Sequence, residues 1–347
     1  MSRGTDDVRV GIVSVGVYLP KTYVTAAELA DTLGIPEEII VTKMGWKGKH
    51  VPGPDDHPVA MGVWAAQDAL SQADIDPEDI DLVISTIDEY RDYLIQLTGP
   101  KIAYELGARR AWAIDVCQRC GTNIGALKIA KDMMIADPDI NTVMVAGGYR
   151  IGDLIDYTNQ RCRYLFGLGA GGGAFLLRKN HPRNHILGTA MITDGSFADD
   201  VLVPAGGTRM PITKEALDKR LNYLDTPDIE GMRQRLDRVS LPNFLKVIRD
   251  ALAKSGYSEK DLGFLALVHM KRSFHDYMLR ELGLRDDQSI YLEDYGHTGQ
   301  MDMPILVKLG LESGRIKDGT LIAMVSAGTG YTWGATVVRW GPANANK

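Results

Sequence analysis

The chain is poor in cysteine, with three in 347 residues. Three are too few for a disulfide framework, and the scarcity fits a reducing cytoplasm. Basic charge is not in excess: 39 Lys and Arg stand against 45 Asp and Glu, for a net charge of −6. No run of Lys and Arg stands out, so neither nucleic acid nor an anionic membrane is an expected partner. No apolar stretch reaches the roughly 18 residues that a membrane-crossing helix needs. The opening "MSRGTDDVRVGIVSVGVYLP" lacks a charged n-region ahead of a long apolar h-region, so no secretory signal is expected. Low-complexity linkers are missing as well. What is present is ordinary globular composition, 45% apolar and 24% charged, with material for a large core in one domain or in two halves.

The chain repeats itself. "VGIVSVGVYLP" (10–20) has a counterpart in "HILGTAMITDG" (185–195), and "DLVISTID" (81–88) in "FLALVHMK" (264–271). "AWAIDVCQRCGTNIGALKIAKDMM" (111–134) resembles "SIYLEDYGHTGQMDMPILVKLGLES" (289–313). Each is followed by a second apolar run, "NTVMVAGG" (141–148) and "GTLIAMVSAG" (319–328). Short apolar runs alternating with helical periods indicate α/β structure with buried central strands. Helices are predicted at 26–33, 59–73, 99–107, 121–135, 241–255 and 300–314. The stretches 149–165 and 205–240 read as loops or insertions, the second in a region marked by Pro204, Pro211 and Pro227. Residues 1–180 and 181–347 then form two halves packed as one body about a pseudo-twofold axis.

In an open α/β sheet, ligands collect beyond the carboxyl ends of the strands. Three such loops carry reactive groups: Cys120 after 112–116, His269 after 264–268 and His297 after 290–293. A duplicated fold brings equivalent strand ends together, so the three are expected to converge.

Cys117 and Cys120 form a C-x-x-C with several readings. A zinc site needs two more ligands, and Cys162 and the histidines are scattered, so no metal is expected. A thioredoxin-like redox pair belongs to smaller folds. Both sulfurs could be inert small hydrophobes. Position favours a nucleophile at Cys120: a strand should end there and the helix "GTNIGALKIAKDMM" begin, where unpaired N–H groups and the helix dipole favour a thiolate. The same N–H groups can hold the oxyanion of a thioester under attack, and Gly121 lets a substrate approach the backbone.

At these residues the sequence resembles the thiolase superfamily, nearest to β-ketoacyl synthase III and its relative 3-hydroxy-3-methylglutaryl-CoA synthase. "EEIIVTKMGWKGKHV" (37–51) is similar to the family's "DEWIVTRTGIRERHI", and "FGLGAGGGAFLL" (166–177) to its "FGDGAGAAVL" strand. "IDVCQRCGTNIGAL" is similar to its D-x-x-x-x-C nucleophile elbow, and the spacing from Asp115 selects Cys120. "GRIKDGTLIAMVSAGTGYTWGATVVRW" (314–340) is close to its C-terminal glycine-loop segment.

The resemblance implies a thiolase-like αβαβα layered sandwich with mixed sheets, built from two pseudo-twofold-related halves, and a homodimer. It implies a cytoplasmic acyltransferase of lipid metabolism that performs Claisen condensation through an acyl-cysteine. Cys120 takes the acyl group from a CoA thioester, His269 hydrogen-bonds the second thioester, and the backbone N–H groups of Cys120 and Thr329 form the oxyanion hole. Acyl-CoA is then a substrate and no resident cofactor is expected; an acyl carrier protein or an accessory subunit is a further candidate partner.

Departures from the family pattern point to a specialised enzyme. The family's "GNTS" reads "GHTG" here, so His297 replaces an asparagine and joins His269 in polarising the second thioester. The tryptophan that stacks on the CoA adenine corresponds to Ile39, and a nearby arginine to Lys43. "HQAN" is replaced by "HMKR", so Lys43, Lys271 and Arg272 are the candidates for CoA phosphates. Glu89 in "TIDEYRDYLI" (86–95) stands where 3-hydroxy-3-methylglutaryl-CoA synthase carries its acid/base glutamate; the alternatives are Asp88 in that role or a solvated loop. A synthase or thiolase of that kind, and a non-catalytic acyl-CoA-binding subunit, are the competing readings. Asp302 and Gln300 read as helix-surface or pocket residues, Trp333 as packing, and Gly169, Gly171, Gly172 and Gly173 as sites of close backbone approach. His50, His57 and Cys162 carry no functional signal.

Overall fold

The computed structural model describes residues 8–88 and 90–342. The first half runs β1 (Val10–Tyr18), β2 (Tyr23–Thr25), α1 (Ala26–Leu33), the single turn α2 (Glu37–Ile39), β3 (Gly48–His50), α3 (Pro58–Ser71), β4 (Leu82–Ser85), α4 (Thr98–Leu106), β5 (Trp112–Asp115), α5 (Thr122–Ala136), β6 (Thr142–Tyr149) and β7 (Gly171–Lys179). The second runs β8 (Arg183–Thr193), α6 (Lys214–Asp218), α7 (Ile229–Lys254), β9 (Phe264–Leu267), α8 (Arg272–Glu281), α9 (Asp302–Glu312), β10 (Leu321–Gly328) and β11 (Thr332–Pro342).

Nine strands join in the order β5-β4-β6-β7-β1-β8-β11-β10-β9. β4 lies parallel to β5 and β6, as β9 lies parallel to β10. β7 is antiparallel to β6 and β1, as β11 is antiparallel to β10 and β8. The second series therefore retraces the first, with β8, β9, β10 and β11 standing as β1, β4, β6 and β7. The two meet at a single β1–β8 pairing, Gly11 with His185. The repeated apolar runs became these strands because both faces of β4, β6, β9 and β10 are covered, which favours continuous apolar sequence.

Helices cover those faces in layers. α3 packs on β1, β6 and β7, α4 on β4 and β5, and α7 on β8, β10 and β11. α5 touches β6 of its own half and β8, β10 and β11 of the other; α9 touches β9 and also β1 and β7. α5 and α9 thus fill the middle of a five-layered αβαβα stack, the arrangement expected from the sequence. The glycine strand β7 lets α3 and the middle layer come close: a Cβ on Gly172 would lie 2.1 Å from the Met61 carbonyl oxygen, and one on Gly173 would lie 2.3 Å from Pro304 Cγ.

Three local expectations are corrected. The helix expected at 241–255 begins at Ile229 and carries Pro242 inside it. The Asp228 side chain caps it by accepting from the Gly231 N–H, and Met232 is buried, so a cap and an apolar anchor override the start that Pro242 suggests. The 205–240 stretch therefore holds α6 and the first turns of α7 rather than loop alone. The strand expected near 289 is reduced to one bridge, Ser289 with Leu265. α8 was not expected; it follows directly on the "HMKR" segment.

Candidate active site

Cys120 lies in a tight turn, Arg119–Gly121, between β5 and the first residue of α5. Arg119 takes the left-handed conformation (φ 55°), which costs of order 1–3 kcal/mol for a residue with a side chain. The bend is held from outside. The Ser326 hydroxyl donates to the Cys120 carbonyl at 2.7 Å. Gly328 packs so closely that a Cβ there would lie 2.0 Å from the Gln118 carbonyl oxygen. Thr122 accepts from the Gln118 N–H at 2.8 Å and donates to Asp88 at 3.1 Å. The Asp115 carboxylate meets Arg91 and the start of α4, through the N–H groups of Thr98 (3.0 Å) and Gly99 (2.7 Å). Its place in the elbow motif is thus architectural.

His297 arrives from the other half. Its N–H donates to the Gly167 carbonyl at 3.0 Å, and its own carbonyl accepts from the Gly169 N–H at 2.9 Å. The "FGLGA" segment thereby carries the imidazole to Cys120, with His297 Nε2 at 3.1 Å from Cys120 Sγ. On the far side of the ring, Nδ1 lies 2.7 Å from Asp302 Oδ2. Asp302 is fully buried and its carboxylate also accepts from the His269 N–H (2.9 Å), the Thr298 N–H (2.8 Å) and the Thr298 hydroxyl (3.0 Å). Asp302 is therefore not a helix-surface residue: it backs His297 and fixes the main chain at His269. Gln300 is buried as well, donating to the Thr86 carbonyl at 2.6 Å while its own carbonyl accepts from Asn123 at 2.7 Å. These bonds tie β4, α5 and the His297 loop together, and with them the two halves of the site.

His269 follows β9 and is buried, yet neither ring nitrogen has a partner among the described residues. The ring leans on Tyr291, centroids 4.8 Å apart. A core histidine without a function would normally be satisfied. The two ring nitrogens are thus available to hydrogen-bond a polar ligand atom.

The electrostatics separate the two histidines. Burial pushes His269 down to about 3, so its ring stays neutral. Burial also works against charge on His297, but Asp302 and the Cys120 sulfur, with the hydrogen bonds to both, outweigh it and hold His297 well above its ordinary value. Asp302 is opposed by its own burial, yet His297 and the N–H donors keep it below the usual carboxylate range. Burial and the nearby Cys120, Asp88 and Asp302 raise the Tyr149 phenol, which keeps it protonated at 6.4 Å from the His297 ring.

A pH dependence of stability follows. His275 is likewise buried and pushed down to about 4, against an unfolded value of roughly 6.5. Between about pH 6.5 and 4 the unfolded chain binds more protons than the folded one through His269 and His275, so stability falls as pH falls through that window. Each histidine contributes up to about 2 kcal/mol of loss at pH 5. His297 has the opposite sign: its stabilisation is present below about pH 6.5 and lost as pH rises through its raised folded value, so it adds no slope in the acid window. Urea unfolding of the wild type and of His275→Gln at pH 7 and 5 should show a loss smaller by about 2 kcal/mol in the variant. Equal losses would mean that His275 is not held neutral.

The remaining expected site residues are placed as follows. Thr329 stands in the turn directly after Gly328, beside the Gln118–Gly121 bend. Lys43, Lys271 and Arg272 are exposed. The 40–44 turn and α8 touch, so all three share one rim, where Arg272 pairs with Asp276 at 2.8 Å and lies over the Tyr291 ring. Glu89 lies outside the described residues, while Asp88 is buried against Thr122. Cys117 is exposed, and Cys162 is buried with Sγ on the Leu224 carbonyl. Trp333 is buried in the core.

Sequence reading left Asp302 between helix surface and pocket, although an acid five residues after His297 was a signal for its place, and it missed an arginine-lined cavity. Arg161, Arg163, Arg233, Tyr164 and Gln160 border this cavity together with Glu230, which pairs with Arg233; its volume is about 330 Å³.

The described helices include none long and apolar enough to cross a membrane. Residues 114–195 match the family model for 3-oxoacyl-[acyl-carrier-protein] synthase III, and residues 252–340 the model for its C-terminal part. The chain is 28% identical to the β-ketoacyl-[acyl-carrier-protein] synthase III of Campylobacter fetus over 334 residues, 96% of this chain and 99% of that one. Among solved structures it resembles the 3-oxoacyl-[acyl-carrier-protein] synthase III of Aquifex aeolicus, with a TM-score of 0.80, 24% identity and coverage of 95% and 100%. It also resembles the priming β-ketosynthase of the R1128 polyketide pathway, with a TM-score of 0.82, 24% identity and coverage of 96% and 97%. Together with the duplicated five-layered fold and a cysteine at the start of the middle helix, these matches indicate a β-ketoacyl synthase III-like condensing enzyme of the thiolase superfamily.

Proposed function

We propose that the protein condenses two acyl thioesters, with Cys120 carrying the first as an acyl-enzyme and acyl-CoA as the donor. The carrying observation is the 3.1 Å approach of His297 Nε2 to Cys120 Sγ beside the orphan ring of His269. His297 takes the thiol proton and Sγ attacks the thioester carbonyl. Backbone N–H groups of Cys120 and Thr329 hold the oxyanion, and the departing CoA thiolate takes the proton from His297. His269 then hydrogen-bonds the carbonyl of the second thioester. Its carbanion, formed by loss of CO2 or of an α-proton, attacks the acyl carbon and frees Cys120.

Arg163 in the arginine-lined cavity supports a phosphate-bearing carrier, since guanidinium groups pair with phosphate in bidentate fashion, while Arg161 and Arg233 there already meet Asp225 and Glu230. Lys43, Lys271 and Arg272 offer a second basic rim. The names of the relatives point to an acyl carrier protein as bearer of the second substrate. CoA enters as substrate, without a resident cofactor, and an intracellular pool of thioesters is the setting this requires.

A homodimer accounts for the exposed apolar face at the β5 edge, where Tyr93, Leu94, Leu97, Tyr104 and Trp112 are each about half or more exposed. β5 ends the sheet, so its outer backbone is available for pairing with a second copy. Leu94→Glu should yield monomer by sedimentation; an unchanged dimer, or a monomeric wild type, would refute this face.

The defining experiment is intact-mass analysis after exposure to a panel of acyl-CoAs, followed by malonyl-CoA, a malonyl carrier protein or acetoacetyl-CoA. An adduct on Cys120 that a malonyl thioester discharges is expected. Discharge by acetoacetyl-CoA alone would favour the 3-hydroxy-3-methylglutaryl-CoA synthase-like reading with Glu89 or Asp88 as acid/base. Absence of any adduct would leave a non-catalytic acyl-CoA-binding subunit.

A further inference from the structure

We propose that the same site also passes the acyl group of Cys120 to a hydroxyl nucleophile, with His297 as general base and Asp302 as the positioning residue that fixes its tautomer. This rests on the acyl-cysteine reading above.

The argument is geometric. Asp302 is buried and surrounded by donors: its Oδ1 takes the Thr298 N–H and hydroxyl, and its Oδ2 takes the His269 N–H. The remaining contact, 2.7 Å from Oδ2 to His297 Nδ1, must then place the ring proton on Nδ1. In the neutral ring Nε2 is a lone-pair acceptor, aimed at Cys120 Sγ from 3.1 Å. In that form the nitrogen leaves the carbonyl of the second thioester to His269. It can remove a proton. Cysteine, imidazole Nε2 and a carboxylate on Nδ1 form the constellation used to split acyl-enzymes with water on unrelated folds. Acylation also removes the sulfur charge that helps hold His297 up, which frees Nε2 as a base once the acyl group is in place. The site is open to small nucleophiles, because the His297 side chain is 18% exposed and Cys120 is only partly buried.

The step balances without a further reactant. The hydroxyl proton moves to Nε2, and its oxygen attacks the acyl carbonyl. The C–S bond breaks, and the proton returns from Nε2 to sulfur. Water gives a free acid and an alcohol gives an ester, with Cys120 restored as a thiol and nothing oxidised or reduced.

The test gives the protein acyl-CoA alone, with or without glycerol, and follows CoA thiol release, products and the mass of Cys120. The expected result is a burst of one CoA per protomer followed by steady release, with free acid formed in water or acyl-glycerol when glycerol is present. The steady rate should rise with pH as His297 loses its proton. Asp302→Asn should slow the steady phase by about 100-fold or more relative to the burst and flatten its pH profile. If that variant does not fold, His297→Asn, which also slows acylation, should keep the acyl group it acquires as a stable adduct on Cys120. A wild-type burst that stops at one equivalent, with condensation intact, overturns the proposal and leaves the condensing function standing. A steady phase unchanged in either variant also overturns it. No burst and no adduct would overturn both.

Discussion

Cys120→Ala is expected to abolish acyl-adduct formation and to lower condensation by about 10⁴-fold or more, while the protein stays folded. The loss is chemical because Sγ bridges nothing structural. The turn is held instead through the Cys120 carbonyl on Ser326 and through the packing of Gly328 on Gln118 and Arg119. Sγ is also partly exposed, so its removal leaves no deep cavity, and stability should change by less than about 1 kcal/mol. A spectroscopic consequence accompanies the kinetic one. Cys120 is among the causes that hold His297 up, so the variant's His297 should titrate lower, as read by imidazole NMR. Retained condensation, or transfer of the adduct to Cys117, would remove Cys120 from the mechanism.

His269→Leu should slow condensation by about 10²–10⁴-fold while Cys120 is still acylated within about tenfold of the wild-type rate. His269 touches the nucleophilic pair only through its backbone N–H on Asp302, a bond that leucine keeps. Its ring nitrogens have no partner among the described residues, so replacing the ring with an apolar side chain of similar size removes buried unsatisfied polar atoms. Stability at pH 7 should be unchanged or higher, and part of the acid-induced loss should vanish, since this ring is held neutral down to about 3. Activity and stability moving in opposite directions is the signature of a group kept for substrate. Parallel losses of folding and acylation would reduce His269 to a core residue. The measurements are single-turnover acylation by mass, condensation rate and urea unfolding.

The family segments were legible because their local chemistry leaves a linear trace. The continuous apolar runs of β4, β6, β9 and β10, the strand-to-helix elbow at Cys120 and the glycine strand at β7 are each set by near neighbours. Less legible was anything decided by a cap or by distant packing. Pro242 marks a helix start in the sequence, but the Asp228 cap and buried Met232 begin α7 earlier. The 289 segment has strand-like composition, yet only Ser289 pairs. Least legible was the role of Asp302, read as a helix-surface or pocket residue. An aspartate at the first position of a helix commonly faces water and the helix dipole. It becomes a carboxylate behind His297 only because the chain around Thr298 turns it inward.

The sequence alone determined that the chain is duplicated, which strand ends bear Cys120 and His269, and that Cys120 opens the helix of the middle layer, because periodicity and elbow spacing are local properties. Tertiary structure decided that Nε2 of one half meets Sγ of the other, that Asp302 sets the tautomer and that the His269 ring is left unpartnered. Those outcomes depend on how the halves pack through Gly167, Gly169, Gln300 and Asn123. Distances across a fold are set by the packing of layers, which no linear pattern encodes.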